Sequence, residues 1–179
     1  MRDRAVNMNS LRAREFEDVA LAATREEVPD LDLRAFHVGF NLVRAASTLV
    51  QHSEELIHRP AGWTWSGFRV MYIVWIAGEI EARDISRLAG VTRQTTSSVL
   101  STLERDGLIE RTRDSTTDRR LVTVRLTPEG AAGAREAMIA QNKLEASWLA
   151  GLTEAEGLML GDLLKRVLIH EPMKQTRLE

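Results

Sequence analysis

The sequence predicts a mainly α-helical chain with one small β hairpin, an α+β arrangement. Three observations predict it. Two short helical patterns meet at Ala89-Gly90-Val91. Strand-like alternation follows directly, with Val122, Val124 and Leu126 separated by Thr123 and Arg125. On either side of this centre, apolar residues recur at three- and four-residue steps, the spacing of amphipathic helices. Together these give a small β wing and a winged helix-turn-helix, flanked by N- and C-terminal dimerisation helices.

Residues 1–30 read as an N-terminal extension, weakly helical or disordered. Leu11, Phe16, Val19 and Ala23 can share a face while Arg and Glu fill the rest. The segment is then either a frayed leader or an extra helix packed across a dimer, and Pro29-Asp30 ends it in both cases. From Leu31 to about His58 runs the longest amphipathic pattern. Leu33, Phe36, Phe40, Val43, Ser47, Val50 and Ile57 form one stripe, and Val38, Leu42, Ala45, Leu49 and Leu56 form a second. A helix with two apolar faces packs on two surfaces, here its own domain and a second subunit.

Arg59-Pro60-Ala61-Gly62 breaks the pattern, and a helix then runs from Trp63-Thr64-Trp65-Ser66 to about Ala77 with Trp65, Phe68, Tyr72 and Trp75 on one face. Such a stripe is either core or the wall of a ligand pocket. In the second reading His37, Asn41, Trp63, Trp65, Phe68, Arg69 and Tyr72 surround a small aromatic acid, with the polar groups capturing carboxylate or hydroxyl and the rings covering its apolar body. Glu81-Ala82-Arg83 is expected to form a short strand that completes the small sheet.

In the helix-turn-helix, Ile85, Leu88 and Ala89 mark the first helix and Gly90 permits the turn. Thr92 is placed to cap the second helix. Thr96, Val99, Leu100 and Leu103 are its inward face, and Asp106-Gly107 stops it. The outward face is Arg93, Gln94, Ser97, Ser98, Ser101 and Thr102, hydrogen-bonding side chains that are short apart from the single Arg and Gln near the helix start, where an ordinary surface helix carries Glu and Lys. That suits a helix whose first turns enter the major groove, and it makes Thr92, Arg93, Gln94, Ser97, Ser98 and Thr102 candidate DNA contacts. Strand-like runs Glu110 to Arg113 and Arg120 to Leu126 flank a polar tip carrying Asp118, Arg119 and Arg120. Its expected target is phosphate or the minor groove. Asp118 can bond its own turn, orient Arg120, or both.

After Thr127-Pro128-Glu129, a helix start with Thr at the cap, Ala134, Met138, Gln141 and Trp148 lie near one face. Thr153 to Glu156 has capping-box spacing, and Leu160, Leu163, Leu164, Val167 and Leu168 precede the stop at Glu171-Pro172.

The wing from Asp114 to Arg120 with the following LVTVRLTPEG, and the preceding LERDGLIER, resemble the winged helix of the MarR family of dimeric bacterial transcription regulators. The match is strong over residues 84–130, rests on helix order and length over 31–83 and 131–170, and does not extend to 1–30. The resemblance implies that Asp118 and Arg120 form the family's Asp-x-Arg element, which positions an arginine for the minor groove. It also implies a dimer intertwined through terminal helices and repression relieved by small molecules, commonly phenolic or other aromatic acids. Two positions depart from the pattern. Ser86 stands where Ala is usual and Thr96 where an apolar residue is common, so a slightly weaker helix–helix contact is expected.

The divisions expected are therefore 1–30 as the extension, 31–62 and 127–172 as the helical dimerisation region, and 63–126 as the DNA-binding domain. The expected partners are a near-palindromic double-stranded DNA operator, a second copy of the chain, and a small-molecule effector. No membrane partner is expected: no run approaches the roughly 18 apolar residues of a span, and the start lacks a signal-peptide core, so the chain is expected in the cytoplasm.

Composition excludes several classes. There are 179 residues and no cysteine, which rules out disulfides, thiolate metal sites and thiol redox sensing. The four histidines, 37, 52, 58 and 170, show no metal-ligand spacing. No glycine-rich phosphate loop, nucleophile elbow or carboxylate pair stands out, so neither an enzyme nor a cofactor is expected. A net charge of −2 suits a DNA-binding protein only once the chain is divided: nine arginines face six acidic residues over 83–125, net +3, leaving −5 elsewhere. The rival reading, a winged helix that binds a protein and answers to no ligand, calls for apolar residues on the outward helix face. Arg93, Gln94, Ser97 and Ser98 are polar.

Overall fold

The computed structural model describes residues 13–28, 30–113 and 122–170. The chain divides into two compact units, one ending at Gln51 and the other starting at His52.

In the first unit, helix α1 (Ala13–Glu27) precedes α2 (Leu33–Ser53), which runs on past the division. The weak amphipathic pattern of the extension does form a helix, because its one apolar face finds a partner in the same chain. Phe16 meets Phe40 with ring centres 6.1 Å apart, and Phe36 stacks on Phe40 at 5.5 Å. Beside the rings, the Glu17 carboxylate accepts a hydrogen bond from Asn41 Nδ2 at 2.6 Å and lies 2.8 Å from His37 Nδ1. Asp32 caps α2 by accepting from the Ala35 backbone N–H, the main reason its carboxyl is held below the ordinary range. Val38, Leu42 and Ala45 remain exposed, so the second stripe of α2 is left open along these residues.

The second unit opens on a π-helical turn, Glu54–His58, where the sequence pattern continues an α-helix to 58. The wider ring closes through Arg59 N–H to Glu54 O at 2.9 Å. His58, at its end, is fully buried. Helix α3 (Trp65–Ala77) is capped by Thr64, whose hydroxyl accepts from Gly67 N–H at 3.1 Å. Strand β1 is Glu79–Glu81 rather than the expected 81–83. It pairs antiparallel with β3 from Glu79 opposite Arg125 to Glu81 opposite Thr123, and Ala82 already opens helix α4 (Ala82–Ala89).

Helix α5 (Arg93–Arg105) leads into β2 (Ile109–Arg113), and β3 (Val122–Leu126) into α6 (Pro128–Leu149) and α7 (Glu154–Ile169). The sheet order is β1-β3-β2, all antiparallel. Its core joins Val70, Met71 and Val74 of α3 with Ile85, Leu100, Leu103, Ile109, Val124 and Ala134. Each Val, Leu, Ile or Met side chain among these stabilises the fold by about 1.5–3 kcal/mol through removal from water.

Helix α6 starts hard against the end of α5. Thr127 Oγ1 donates to Gly107 O at 2.8 Å and accepts from Gly130 N–H at 3.0 Å, while Thr127 N–H donates to Leu108 O at 3.1 Å. A Cβ on Gly130 would sit 1.9 Å from Leu108 O, so only glycine allows this approach. Helix α7 begins with a capping box between Thr153 and Glu156 and buries none of its residues. Leu158, Met159, Leu163, Val167 and Leu168 are all exposed. Among the described residues no helix is long and apolar enough to cross a membrane.

Candidate nucleic-acid interface

Helix α4 ends on Gly90, whose φ of +61° makes the left-handed turn that a side chain would resist. Two residues later Thr92 caps α5, its hydroxyl accepting from Thr95 N–H at 3.1 Å. Beneath this turn Ser86 Oγ donates to Thr96 Oγ1 at 2.9 Å, and Thr96 in turn donates to Thr92 O at 3.1 Å. Both side chains are buried. These two residues, which depart from the family pattern, satisfy one another and join the two helices by a buried hydrogen bond.

With Thr96, Leu100 and Leu103 facing the core, the opposite face of α5 is left to solvent. Thr92, Arg93, Gln94, Ser97, Ser98 and Thr102 are all exposed. Arg93 has no ion pair among the described residues and stands in the first turn, where the helix dipole adds positive potential. Ser101 is committed elsewhere, because Arg111 Nη2 of β2 donates to its hydroxyl at 3.0 Å and pairs with Glu104 at 2.6 Å. Arg83, Arg93 and Arg111 border a hollow of about 520 Å³ that also includes Ser86, Ser97 and Val122. Asp118, Arg119 and Arg120 lie outside the described residues, between the ends of β2 and β3.

A second cavity, of about 390 Å³, is bordered by Trp65, Phe68, Arg69 and Tyr72 of α3, with Leu88 from α4 and Met138, Gln141 and Glu145 from α6. Four of the candidate ligand residues thus meet at one cavity. The spacing that makes an aromatic stripe also puts Arg69 beside it, and Arg69 makes no ion pair among the described residues. Trp63 packs on the core cluster, 3.1 Å from where a Cβ on Gly133 would stand. His37 and Asn41 are in the first unit, holding Glu17.

His58 stands outside the candidate ligand set read from the sequence, yet it is buried beside the rings of that set. Its ring stacks on Phe68 at 4.4 Å and lies 5.6 Å from Trp65. Burial lowers its pKa, against the opposing influence of Gln141 and the Glu54 carboxylate. Among the described residues neither ring nitrogen meets a partner in hydrogen-bond geometry, nor does Gln141 Oε1, while Gln141 Nε2 donates to Glu145 at 3.0 Å. A lone histidine next to a proline-containing break carries no sequence signal of this burial. Arg111 did carry one, since period-two alternation puts it on the same side of β2 as the buried Ile109.

A helix-turn-helix with an exposed polar second helix, braced by a three-stranded wing sheet, defines a class: winged-helix regulators that bind DNA. The model of the MarR family matches residues 63–122. YwaE of Bacillus subtilis (strain 168), an uncharacterized HTH-type transcriptional regulator, is 34% identical over 140 residues, 78% of this chain and 81% of YwaE. The chain belongs to the MarR family and is a DNA-binding transcription regulator, not an enzyme.

Among solved structures it is similar to Bordetella bronchiseptica BpsR, whose DNA binding is regulated by 6-hydroxynicotinic acid. There the TM-score is 0.67 and the identity 27%, over 73% of this chain and 98% of BpsR. It is also similar to NadR in complex with 4-hydroxyphenylacetate, with TM-score 0.63 and 25% identity over 75% of this chain and 94% of that one.

Proposed function

We propose that the protein is a homodimeric repressor in the cytoplasm that binds a near-palindromic operator and is released from it by a small aromatic acid. The observation that carries the DNA-reading part is the exposed row Thr92, Arg93, Gln94, Ser97, Ser98 and Thr102 on a helix whose other face is locked in the core. Residues 63–126 are the reading domain in this proposal. The segment between β2 and β3, through Asp118, Arg119 and Arg120, supplies a second contact to phosphate or minor groove.

Residues 31–62 and 127–172 form the dimerisation region, with 1–30 as an extension to it. The support is the unburied aliphatic face of α7 and the open stripe of α2, since apolar patches of this extent mark association surfaces. A two-fold dimer sets two reading helices about one DNA turn apart, so half-site centres fall roughly 10 bp apart.

For the effector, the rings of Trp65, Phe68 and Tyr72 and the guanidinium of Arg69, which has no ion pair among the described residues, suit an aromatic carboxylate. The compound that regulates DNA binding by BpsR and the one found in complex with NadR are both hydroxylated aromatic acids, which supports the same chemistry here. Release requires that the acid bind the DNA-incompetent state more tightly, and a tenfold loss of DNA affinity needs only about 1.4 kcal/mol of coupling. Selection of bound duplexes from a random pool, with sedimentation of the free protein, tests the proposal. A palindromic consensus and a dimer at micromolar concentration support it; a monomer, or a pool with no enriched sequence, overturns it.

A further inference from the structure

We infer that Arg111 is a positioning residue for DNA recognition, a cross-link that sets the hairpin's direction relative to the reading helix without itself contacting DNA. The inference rests on the reading of the hairpin tip as a second DNA contact. Ser101 and Glu104, one turn apart on α5, present their oxygens to a single guanidinium nitrogen, Nη2 of Arg111, at 3.0 and 2.6 Å. Arg111 sits opposite Val124 and two residues after Ile109, so its side chain leaves the sheet on the core-facing side. An arginine at such a position is there for its partners, because a charge on the inward face of a strand is unfavourable unless paired. Its side chain is only 24% exposed, and its Nε is sealed from solvent without a partner among the described residues.

The place of this cross-link gives it a role. Strand β2 follows α5 through the tight turn at Gly107, φ +72°, and beyond Leu103 and Ile109 the contact with α5 passes through Arg111. The chain leaves β2 at Arg113, two residues further on, to enter the tip. Two charge-assisted bonds from Nη2 to side chains one turn apart on the same helix hold that nitrogen at one place along α5, which a single apolar contact does not. The opposite strand has its own pair, Arg125 with Glu110, but that pair joins β3 to β2 and makes no link to α5.

The experiment measures affinity of the full chain for its selected operator as wild type, Arg111→Met, Glu104→Gln, the tip variant Arg119→Ala/Arg120→Ala, and each combination with the tip variant. Thermal melting establishes that each variant is folded. The exchange Glu104→Arg/Arg111→Glu keeps the test available should Arg111→Met not fold, because it restores the pair with its charges reversed. Positioning predicts a loss of about tenfold for Arg111→Met and a smaller one for Glu104→Gln, no further loss in the tip-variant background, and substantial recovery in the exchanged pair. A loss of the same size with and without the tip, together with a shallower salt dependence in the tip-variant background, identifies Arg111 as a direct phosphate contact and overturns the inference. Unchanged affinity for Arg111→Met also overturns it. If the tip variant alone binds like wild type, the reading of the tip is what fails, and the inference falls with it.

Discussion

Ser86 donates a hydrogen bond to Thr96 across the turn of the helix-turn-helix, 2.9 Å from oxygen to oxygen and closed to solvent. Thr96 passes its own proton on to Thr92 O, so each hydroxyl in the series has an acceptor. Because Thr92 is also the cap of α5, the bond ties the packing of α4 to the start of the reading helix. Ser86→Ala and Thr96→Val should each lower stability by about 1 kcal/mol, the range for losing a buried neutral hydrogen bond. The double variant should lose less than the sum, since apolar partners replace both members. Urea unfolding of the four proteins measures this, and strict additivity would show that the two hydroxyls act independently.

The approach of α6 to the α5–β2 turn gives a sharper effect. Gly130→Ala places a methyl 1.9 Å from Leu108 O, a backbone atom that cannot rotate away. The turn would also lose the geometry of the Thr127 bonds to Gly107 and Leu108. A destabilisation of about 3 kcal/mol or more is expected, at the upper end for overpacking. Gly151→Ala, with open space around its Cβ position, is the control and should have little effect.

His58 gives the fold a defined response to acid. Burial puts its pKa below the ordinary 6.5, so the folded state binds fewer protons than the unfolded state once pH falls under that value. Its contribution is fully present above about pH 6.5 and is lost as pH drops through the folded pKa. Stability of wild type should therefore fall more steeply than that of His58→Gln between about pH 7 and about pH 5 in paired denaturation curves. Parallel curves would show that the ring is not held neutral by its surroundings.

The effector reading predicts a separation between binding and fold. In a titration with 4-hydroxybenzoate followed by tryptophan fluorescence and operator binding, Arg69→Ala should raise the concentration needed for release by roughly tenfold or more, as expected for a lost charge-assisted pair. Its melting temperature should barely move, because Arg69 has no ion pair among the described residues to lose. If the acid perturbs neither signal in wild type, the cavity along α3 is not an effector site.

Those features that depend on local periodicity were legible in the chain. Thr96, Leu100 and Leu103 are buried and Gln94, Ser97 and Ser98 exposed because 3.6-residue spacing fixes which face each occupies once the core is chosen. What periodicity does not encode was misplaced. The π-turn at 54–58 depends on one shifted hydrogen bond, and the strand at 79–81 on pairing with residues 123–125, more than forty positions away by roughly the extended-strand register. Leu88, placed at helical spacing with Ile85 and Ala89, is 53% exposed because it stands on the cavity rim rather than in the core. The Ser86–Thr96 bond escaped for a related reason: each hydroxyl alone looks like a small defect, and only their juxtaposition makes them partners.

The central claim is that the outward face of α5 reads base edges. Its most direct test is the affinity of wild type and Gln94→Ala for two duplexes, one selected from a random pool and one of scrambled sequence, at the same salt. The account predicts that Gln94→Ala weakens binding to the selected duplex by about 1–3 kcal/mol and leaves the scrambled one unchanged, since a base contact discriminates and a phosphate contact does not. An equal loss on both duplexes, or no loss on either, would contradict it.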